Sequence, residues 1–295
     1  MSDRMSRISI WYRDLYRQKD LLWLLIWLGG LMTIWFWDAL FLNAPAFARV
    51  QTAFLNSLIT GLMVVALSVV LGWIMGVGMH LLERGESKGM YIVAQFITNL
   101  LRSVPQILVV LIGYVILTVM LDQEIIRSSF AQLLWIAGTI TLAVFLEAAD
   151  TVRSRIEHFR SSDMVDAMLC CGISEWRIIN VEILWRNSRS HLLHKTIALF
   201  GVSIFLQCSI DFIISVGLST DVSLSNFPLT LGSLLASLES KQDILSISNL
   251  LSDPGYLPVI FVRHLQGVSI AFSIVFTLLC LYKIANGFVW RHRLA

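Results

Sequence analysis

Long apolar stretches separated by short polar segments dominate the hydrophobic pattern of the chain. A stretch of roughly 20 apolar residues is long enough to cross the hydrocarbon core of a bilayer as an α-helix. Such stretches lie near residues 21–42, 54–82, 91–121, 131–149, 196–217 and 264–286. The pattern therefore predicts an all-α, polytopic membrane protein with six transmembrane helices.

The third stretch is longer than one straight span requires. Its sequence predicts a break near the middle, at the run Arg-Ser-Val-Pro at 102–105. Pro105 removes a hydrogen-bond donor and pushes the residue before it away from helical dihedrals. Irregular backbone is tolerated at membrane depth only where water or protein covers it. Arg102, Ser103 and Pro105 are therefore candidate residues of a translocation pathway. The alternative is an ordinary proline kink with a snorkelling arginine.

Composition supports the bilayer as the solvent of this chain. The sequence is 57% hydrophobic and 14% charged, with a mean hydropathy of +0.75, whereas soluble domains carry about 25% charged residues. The net charge of +2 is too small to indicate nucleic acid as a partner. The four cysteines show no metal-ligand spacing, so no metal site is expected.

Basic residues indicate the orientation, because Lys and Arg concentrate on the cytoplasmic side. With both termini inside, 17 of the 22 Lys and Arg residues fall in inner segments and only four in outer ones. Both termini and residues 150–195 are therefore expected in the cytoplasm. Ala46-Phe47-Ala48 after the first apolar run imitates a signal-peptide cleavage site. The length of that run and its aromatic end favour a membrane helix instead.

The inner segment 150–195 is too polar to span the membrane and too long for a simple turn. One helical face is predicted from the spacing of Met164, Ala167, Met168 and Cys171. Gly172 can end that helix in the left-handed conformation, and Ser174 can cap the next. The second helix has an apolar face at Trp176, Ile179 and Ile183. This helix pair has two possible uses, lying on lipid headgroups or docking a cytoplasmic partner.

Residues 166–172, Asp-Ala-Met-Leu-Cys-Cys-Gly, resemble the Glu-Ala-Ala-x-x-x-Gly signature in the cytoplasmic loop of a known family. That family is the membrane-spanning permease subunit of binding-protein-dependent ATP-binding cassette (ABC) importers. Residues 172–178 resemble the Gly-Ala-Ser-x-Trp-x-Ile run that follows, and Ile-Leu-Trp at 183–185 stands at the final motif. The chain departs from the signature by Asp166 for Glu, Met168 for Ala and Trp185 for Pro.

Two further stretches extend the resemblance. Asn-Ser-Leu at 56–58 resembles the Asn-Thr-Leu start of the permease core, and residues 102–105 resemble a motif of the methionine, phosphonate and polar amino-acid branches. The resemblance implies a five-helix core over residues 54–290, with coupling loop 150–195 and outer segment 218–262. Residues 1–53 are then an N-terminal tail with one additional transmembrane helix.

The resemblance also implies function and partners. The chain is expected to form the inward path of a small polar solute, such as an amino acid or phosphonate, in the bacterial inner membrane. Its partners would be two ATP-binding subunits, a second permease subunit that is identical or homologous, an extracytoplasmic substrate-binding protein and membrane lipid. The residues implied in ATPase coupling are Asp163, Asp166, Ala167, Met168, Gly172, Ile173, Ser174, Trp176 and Arg177.

No Gly-x-x-x-x-Gly-Lys-Ser/Thr loop occurs in the sequence, so ATP and Mg are expected on the partner ATPase and no cofactor on this chain. No catalytic or metal-ligand constellation is found either, and the chain is not expected to be an enzyme. Two other functions stay open: an ion-coupled secondary carrier or channel, and a permease-derived scaffold or sensor subunit.

Intramembrane polar residues are the remaining candidates. Asp211, with Gln207 one turn before it, is a candidate pathway residue because buried acids are costly in membranes. Its alternative role is a structural partner of a neighbouring helix. Asp38, Glu147 and Asp150 are expected to contact water or headgroups at span ends.

Two small-residue motifs have more than one interpretation. Gly72 and Gly76 permit close helix approach, within the protomer or between two copies. Glu-Ala-Ala at 147–149 spells the beginning of the family signature but has no glycine six residues after the acid. It is interpreted as a helix terminus.

Overall fold

The structure of the chain is a computed structural model that describes residues 19–85, 88–217, 227–237, 252–256, 258 and 265–293. Within these ranges the chain is helical and contains no strand. Its helices are α1 (Lys19–Phe41), α2 (Ala44–Arg84), α3 (Lys88–Ser103), α4 (Gln106–Asp122), α5 (Ser129–Arg160), α6 (Asp163–Cys170), α7 (Glu175–Arg177) with the π-helix Ile178–Asn187, α8 (Arg189–Gly217), α9 (Leu231–Ser237), the 3₁₀ turn Pro254–Tyr256 and α10 (Leu265–Arg293). The N-terminal tail and most of the predicted outer segment 218–262 lie outside the described residues.

Among the described helices, α1, α2, α5, α8 and α10 are long and apolar enough to cross a membrane. A sixth span results if α3 and α4 are counted together as one bent pair. The chain is thus a multi-pass membrane protein, and each predicted stretch overlaps one of these elements. The largest departures from the predicted ends are in α2, which begins at Ala44, and in α5, which continues to Arg160.

The predicted break of the third stretch is confirmed. Helix α3 ends at Ser103, α4 begins at Gln106, and the two axes differ by 86°. Pro105 takes the position before the first residue of α4, where its missing amide proton costs nothing. The bend is far larger than an ordinary proline kink, so α3 and α4 run in different directions relative to the bundle.

Helices α2 and α5 approach each other closely along the small residues of α2. A Cβ atom added at Gly72 would lie 2.4 Å from the Cβ atom of Ala148, and one at Gly76 would lie 2.8 Å from that of Val152. Only glycine permits this separation of the two backbones. The Gly-x-x-x-Gly pair therefore packs inside the protomer, which was one of its two predicted uses.

The interpretation of Glu147 as a helix terminus is wrong. Glu147 lies inside α5, which continues to Arg160. Ala148 and Ala149 have a structural reason to be small, since they form the surface against which Gly72 packs. The literal Glu-Ala-Ala of this chain is thus a helix-packing motif.

Helix α1 packs against the last helix, α10. The indole of Trp27 donates a hydrogen bond of 3.1 Å to Thr277, and the ring of Phe276 lies where a side chain on Gly30 would be. The boundary expected at residues 53 and 54 falls inside the continuous helix α2. The break between this additional N-terminal helix and α2 therefore lies at residues 42–43, and α1 is held by its packing on α10.

The main apolar core lies where α2, α4, α5 and α8 meet. Its fully buried members are Val64, Val110, Leu117, Ile136, Ala137, Ile140, Val144, Leu199 and Ile210. Many large apolar side chains on the outer faces of the same helices are exposed, as expected for surfaces that contact lipid.

The prediction that Asp38 contacts water or headgroups is wrong, because only 2% of this residue is exposed.

Replacing Gly72 with valine is expected to destabilise the folded chain. The new Cβ atom would meet the side chain of Ala148 and the backbone of Ala149, so α2 and α5 must separate. Overpacking of this kind costs about 1–3 kcal/mol. Thermal unfolding of the detergent-solubilised protein should show a lower midpoint. Gly78→Val is the matched control, since a Cβ atom there meets nothing within 4 Å; equal midpoints for the two variants would contradict the packing argument.

Candidate functional site

The segment between α5 and α8 forms a helix, a glycine turn and a second helix, as predicted. Gly172 adopts a positive φ of 77°. Its amide donates to the carbonyl of Leu169 at 2.9 Å, and the amide of Ile173 donates to that of Met168 at 3.1 Å. These two bonds make a Schellman motif that satisfies the last carbonyls of α6. Ser174 then occupies the N-cap position of α7 with extended backbone, without a side-chain capping bond.

Helix α6 packs on the bundle through a face that differs in part from the predicted one. Val165 is buried, and Met164 and Met168 are half-buried against the same cluster. Ala167 and Cys171, which were assigned to this face, are exposed. The prediction was wrong for Ala167 because the buried face is centred on Val165, and wrong for Cys171 because α6 ends before it, at Cys170.

The second helix buries four aliphatic residues through an unusual spacing. Ile178 and Ile183 are five residues apart, as are Ile179 and Leu184, and all four are buried. A π-helix aligns residues at this spacing, whereas the α-helical period used for prediction does not. The predicted face was correct for Ile179 and Ile183. Trp176 is about half exposed.

Four contacts join this second helix to the C-terminal half of α2. The indole of Trp73 donates a hydrogen bond of 2.7 Å to the amide oxygen of Asn180. The same ring lies edge-on to Trp176, with 5.8 Å between centroids. Glu175 pairs with Arg84, and its Oε1 lies 3.5 Å from Nε2 of the buried His80. A displacement of the helix pair would therefore be transmitted to α2.

The residues predicted for coupling fall into two groups. Met168 and Ile173 pack inward on the cluster that also contains Val77 and Ile156. The others are exposed around the glycine turn: Asp163, Asp166, Ala167, Gly172, Ser174, Trp176 and Arg177. After the role predicted for them, we call residues 163–187 the coupling element. The side of this element that faces the bundle is apolar and buried, and the exposed part around Gly172, which we call its tip, is mainly polar.

A polar belt surrounds the break between α3 and α4. Arg102 pairs with Asp150, so one side of the break is tied to α5. On the other side, Gln106 donates to Glu147 at 2.8 Å, and Lys195 of α8 donates to the second oxygen of Glu147 at 2.6 Å. Ser103 donates to the carbonyl of Leu100 in its own helix. The belt fixes the break between α5 and α8.

Asp211 belongs to a second, buried polar cluster. Only 3% of Asp211 is exposed. One carboxylate oxygen accepts a hydrogen bond of 3.1 Å from Tyr114, and the other accepts one of 2.5 Å from Thr230. Thr230 and Ser233 also bond to each other at the start of α9. Asp211 thus joins α4, α8 and the segment before α9. Buried acids in membranes are normally satisfied in this way or serve a pathway.

Gln207 lies one turn before Asp211 and is 1% exposed, yet neither its amide oxygen nor its amide nitrogen has a hydrogen-bond partner among the described residues. A buried amide without partners is costly, so its presence needs a reason beyond packing. In a transport pathway, such a group is available to a passing polar solute.

The two parts of the predicted pathway are not brought together. Tyr114, which bonds Asp211, is nine residues beyond Pro105 on α4, or roughly 13 Å along the helix at 1.5 Å per residue. Arg102, Ser103 and Pro105 lie in the polar belt, whereas Gln207 and Asp211 lie deeper in the bundle. Helix α4 connects the two groups.

Sequence reasoning missed most of the partners in these sites. Tyr114, Thr230, Lys195, Trp73 and Glu175 carry no motif of their own and are distant in sequence from the groups that they contact. Glu147 was singled out as a helix terminus, and its role as the acceptor of Gln106 and Lys195 was missed. Among the described residues no group of His, Cys, Asp and Glu side chains could hold a metal ion.

Comparison with known proteins adds no relative to this picture. No protein-family model matches the chain, and no curated protein matches it.

Proposed function

We propose that the chain is the permease subunit of an ATP-driven, binding-protein-dependent importer in a bacterial inner membrane. In this proposal it forms the inward path for a small polar solute, of the amino-acid or phosphonate kind. A separate ATPase, carrying ATP and Mg, docks on the coupling element. A second permease subunit and an extracytoplasmic binding protein complete the assembly.

The observation that carries the proposal is the construction of the coupling element. Its polar tip is exposed, while its inner side is fixed to α2 and α5 by buried aliphatic residues and by the contacts of Trp73 and Glu175. A partner that moves the tip would move the inner ends of two spanning helices. A helix pair that only rested on headgroups would need its apolar side for lipid, whereas here four aliphatic residues of the second helix are buried against the bundle.

The solute path is assigned to α4 and the helices around it. Helix α4 carries the break at one end and Tyr114 of the Asp211 cluster further along. Its backbone and the side chains of Arg102 and Gln207 offer donors and acceptors at two depths. In alternating access, movement of α2 and α5 by the ATPase would change the opening at the polar belt.

An ion-coupled carrier or channel is the second candidate, and buried Asp211 is the observation that favours it. Such a carrier would need no ATPase on the coupling element. A permease-derived scaffold or sensor would dock the ATPase but move no solute. The three possibilities differ in what is bound and in what drives uptake.

The distinguishing experiment purifies the affinity-tagged chain from membranes of its own host. ATP hydrolysis and an ATPase subunit are expected to co-purify with the parent protein. Asp166→Lys reverses a charge on the exposed tip and should reduce both several-fold, because docking surfaces are sensitive to charge reversal. Asp122→Lys is the matched control. It reverses a charge at the end of α4 that is opposite to the break, and it should behave like the parent.

Two outcomes would contradict the proposal. Normal ATPase association with Asp166→Lys would remove the docking role of the tip. Solute uptake by vesicles that contain the purified chain alone, driven by an ion gradient, would identify a secondary carrier instead.

The proposed orientation is tested by cysteine accessibility in a variant whose four native cysteines are replaced by alanine. A membrane-impermeant maleimide added to intact cells should label Ile125→Cys, in the exposed connection between α4 and α5. Arg160→Cys, at the opposite end of α5, should react only after the cells are permeabilised. Labelling of Arg160→Cys in intact cells would invert the orientation and place the coupling element outside the cell.

A further inference from the structure

Helix α3 has three distinct sides. Thr98 is buried and faces the bundle. With 3.6 residues per turn, Gln95 and Asn99 fall on one flank of that contact, and Val93 and Ile97 fall on the other. The polar flank also contains Lys88 and Arg102. The apolar flank and the outer face contain Met90, Ile92, Val93, Phe96, Ile97 and Leu100.

The apolar side chains of α3 have no covering within the described protein. Ile92, Val93, Phe96 and Leu100 are between 57% and 67% exposed. A helix with one polar and one wide apolar side, left uncovered, is typical of helices that lie in the plane of a membrane surface. The exposed apolar surface continues beyond the break at Leu108 and Ile112 of α4.

The direction and depth of α3 agree with that location. The helix is turned 86° from α4. Tyr91 and Arg102 are eleven residues apart on α3, yet they contact Arg153 and Asp150, which are three residues apart on α5. Helix α3 therefore crosses α5 steeply. The crossing occurs where α5 changes from apolar residues to charged ones, which is the level of lipid headgroups.

We infer that α3 lies in the plane of one membrane leaflet, with Val93, Phe96 and Ile97 among the acyl chains and with Lys88, Gln95 and Asn99 at the headgroups. The apolar side of α3 is thus covered by lipid, in the leaflet on the same side of the membrane as the coupling element. The basic residues at both ends of the polar flank suit anionic headgroups. Arg102, which lies next to the break, connects this lipid-bound helix to Asp150 of α5. The inference is independent of the proposed transport function.

The test measures fluorescence quenching at single cysteines in the full-length chain. Val93→Cys, Ile97→Cys and Asn99→Cys are made in the background without native cysteines, labelled with bimane and reconstituted in phosphatidylethanolamine and phosphatidylglycerol vesicles. All three positions are exposed, so labelling should leave the fold intact. Size-exclusion profiles like that of the parent provide the folding control.

The expected result is a reversal between the two flanks. Lipids with a nitroxide near the top of the acyl chain should quench the Val93 and Ile97 probes several-fold more than the Asn99 probe, whereas aqueous iodide should quench Asn99 more. Strong iodide quenching at all three positions would place the apolar side in water and overturn the inference. Protection of Val93 and Ile97 from both quenchers would overturn it as well, by showing that a second protein surface covers α3.

Discussion

Asp211→Leu is expected to destabilise the folded chain strongly, although an apolar side chain is in general favoured over a carboxylate in a membrane. The carboxylate accepts hydrogen bonds from Tyr114 and Thr230, which lie on elements 97 and 19 residues away in sequence. Leucine would leave the buried Tyr114 hydroxyl without an acceptor, and the Thr230 hydroxyl would keep only its bond with Ser233. An orphaned buried group costs about 1–3 kcal/mol. The thermal midpoint of the purified protein should fall well below that of the parent.

Asp211→Asn separates the structural role from a role in transport. Asparagine keeps an acceptor for Tyr114, and the Thr230 hydroxyl can rotate to accept from the new amide. Stability should therefore stay close to that of the parent, while a pathway that needs the negative charge should lose most of its solute uptake. Asp122→Leu is the matched control for stability, since that carboxylate is exposed at the end of α4.

The outcomes distinguish the two roles of Asp211 given by the sequence. Normal uptake with Asp211→Asn would show that the carboxylate only holds α4, α8 and the segment before α9 together. A normal thermal midpoint with Asp211→Leu would show that the hydrogen bonds of Tyr114 and Thr230 add nothing to the fold.

Features that depend on neighbouring residues could be predicted from the sequence. The apolar stretches, the break at Pro105 and the turn at Gly172 each follow from local backbone chemistry or local hydrophobicity, and the structure contains all three. The third stretch shows the limit of this reasoning. Its break was located correctly, but nothing in the local sequence determines an angle of 86°, because that angle depends on packing against α5.

Contacts between distant segments could not be predicted in the same way. Trp73 and Asn180 are 107 residues apart, and either residue alone is an ordinary side chain of an apolar or polar helix face. The π-helix Ile178–Asn187 was missed for a related reason. A π-helix inserts one extra residue per turn at an energetic cost, and the burial of two aliphatic pairs against the bundle stabilises it. Local propensity contains no sign of that stabilisation.

Gly172→Val is expected to abolish the proposed ATPase coupling while the transmembrane part stays folded. No atom lies within 4 Å of a Cβ added at this position, so the larger side chain meets no steric obstacle. The obstacle is the positive φ of 77°, which costs L-residues about 1–2 kcal/mol and β-branched residues more. The chain can avoid this cost by opening the Schellman motif, which would displace the exposed tip relative to Met168 and Ile173.

A series of variants at this position isolates the backbone effect. Gly172→Asn adds a polar side chain but tolerates the left-handed conformation, so ATPase co-purification should stay near that of the parent. Gly172→Val should lose most of it. Gly138→Val is the matched control in a helix, where a Cβ atom also meets nothing within 4 Å and φ is not positive. All variants should reach the membrane in similar amounts.

The comparison of valine with asparagine decides what the glycine does. Equal loss in both variants would mean that the docked partner needs the bare backbone at Gly172, and the conformational argument would then be wrong. Full ATPase association with both would mean that the partner does not dock at this turn. The coupling element would then be a structural brace for α2, and the ion-coupled carrier would become the better account of the buried polar cluster around Asp211.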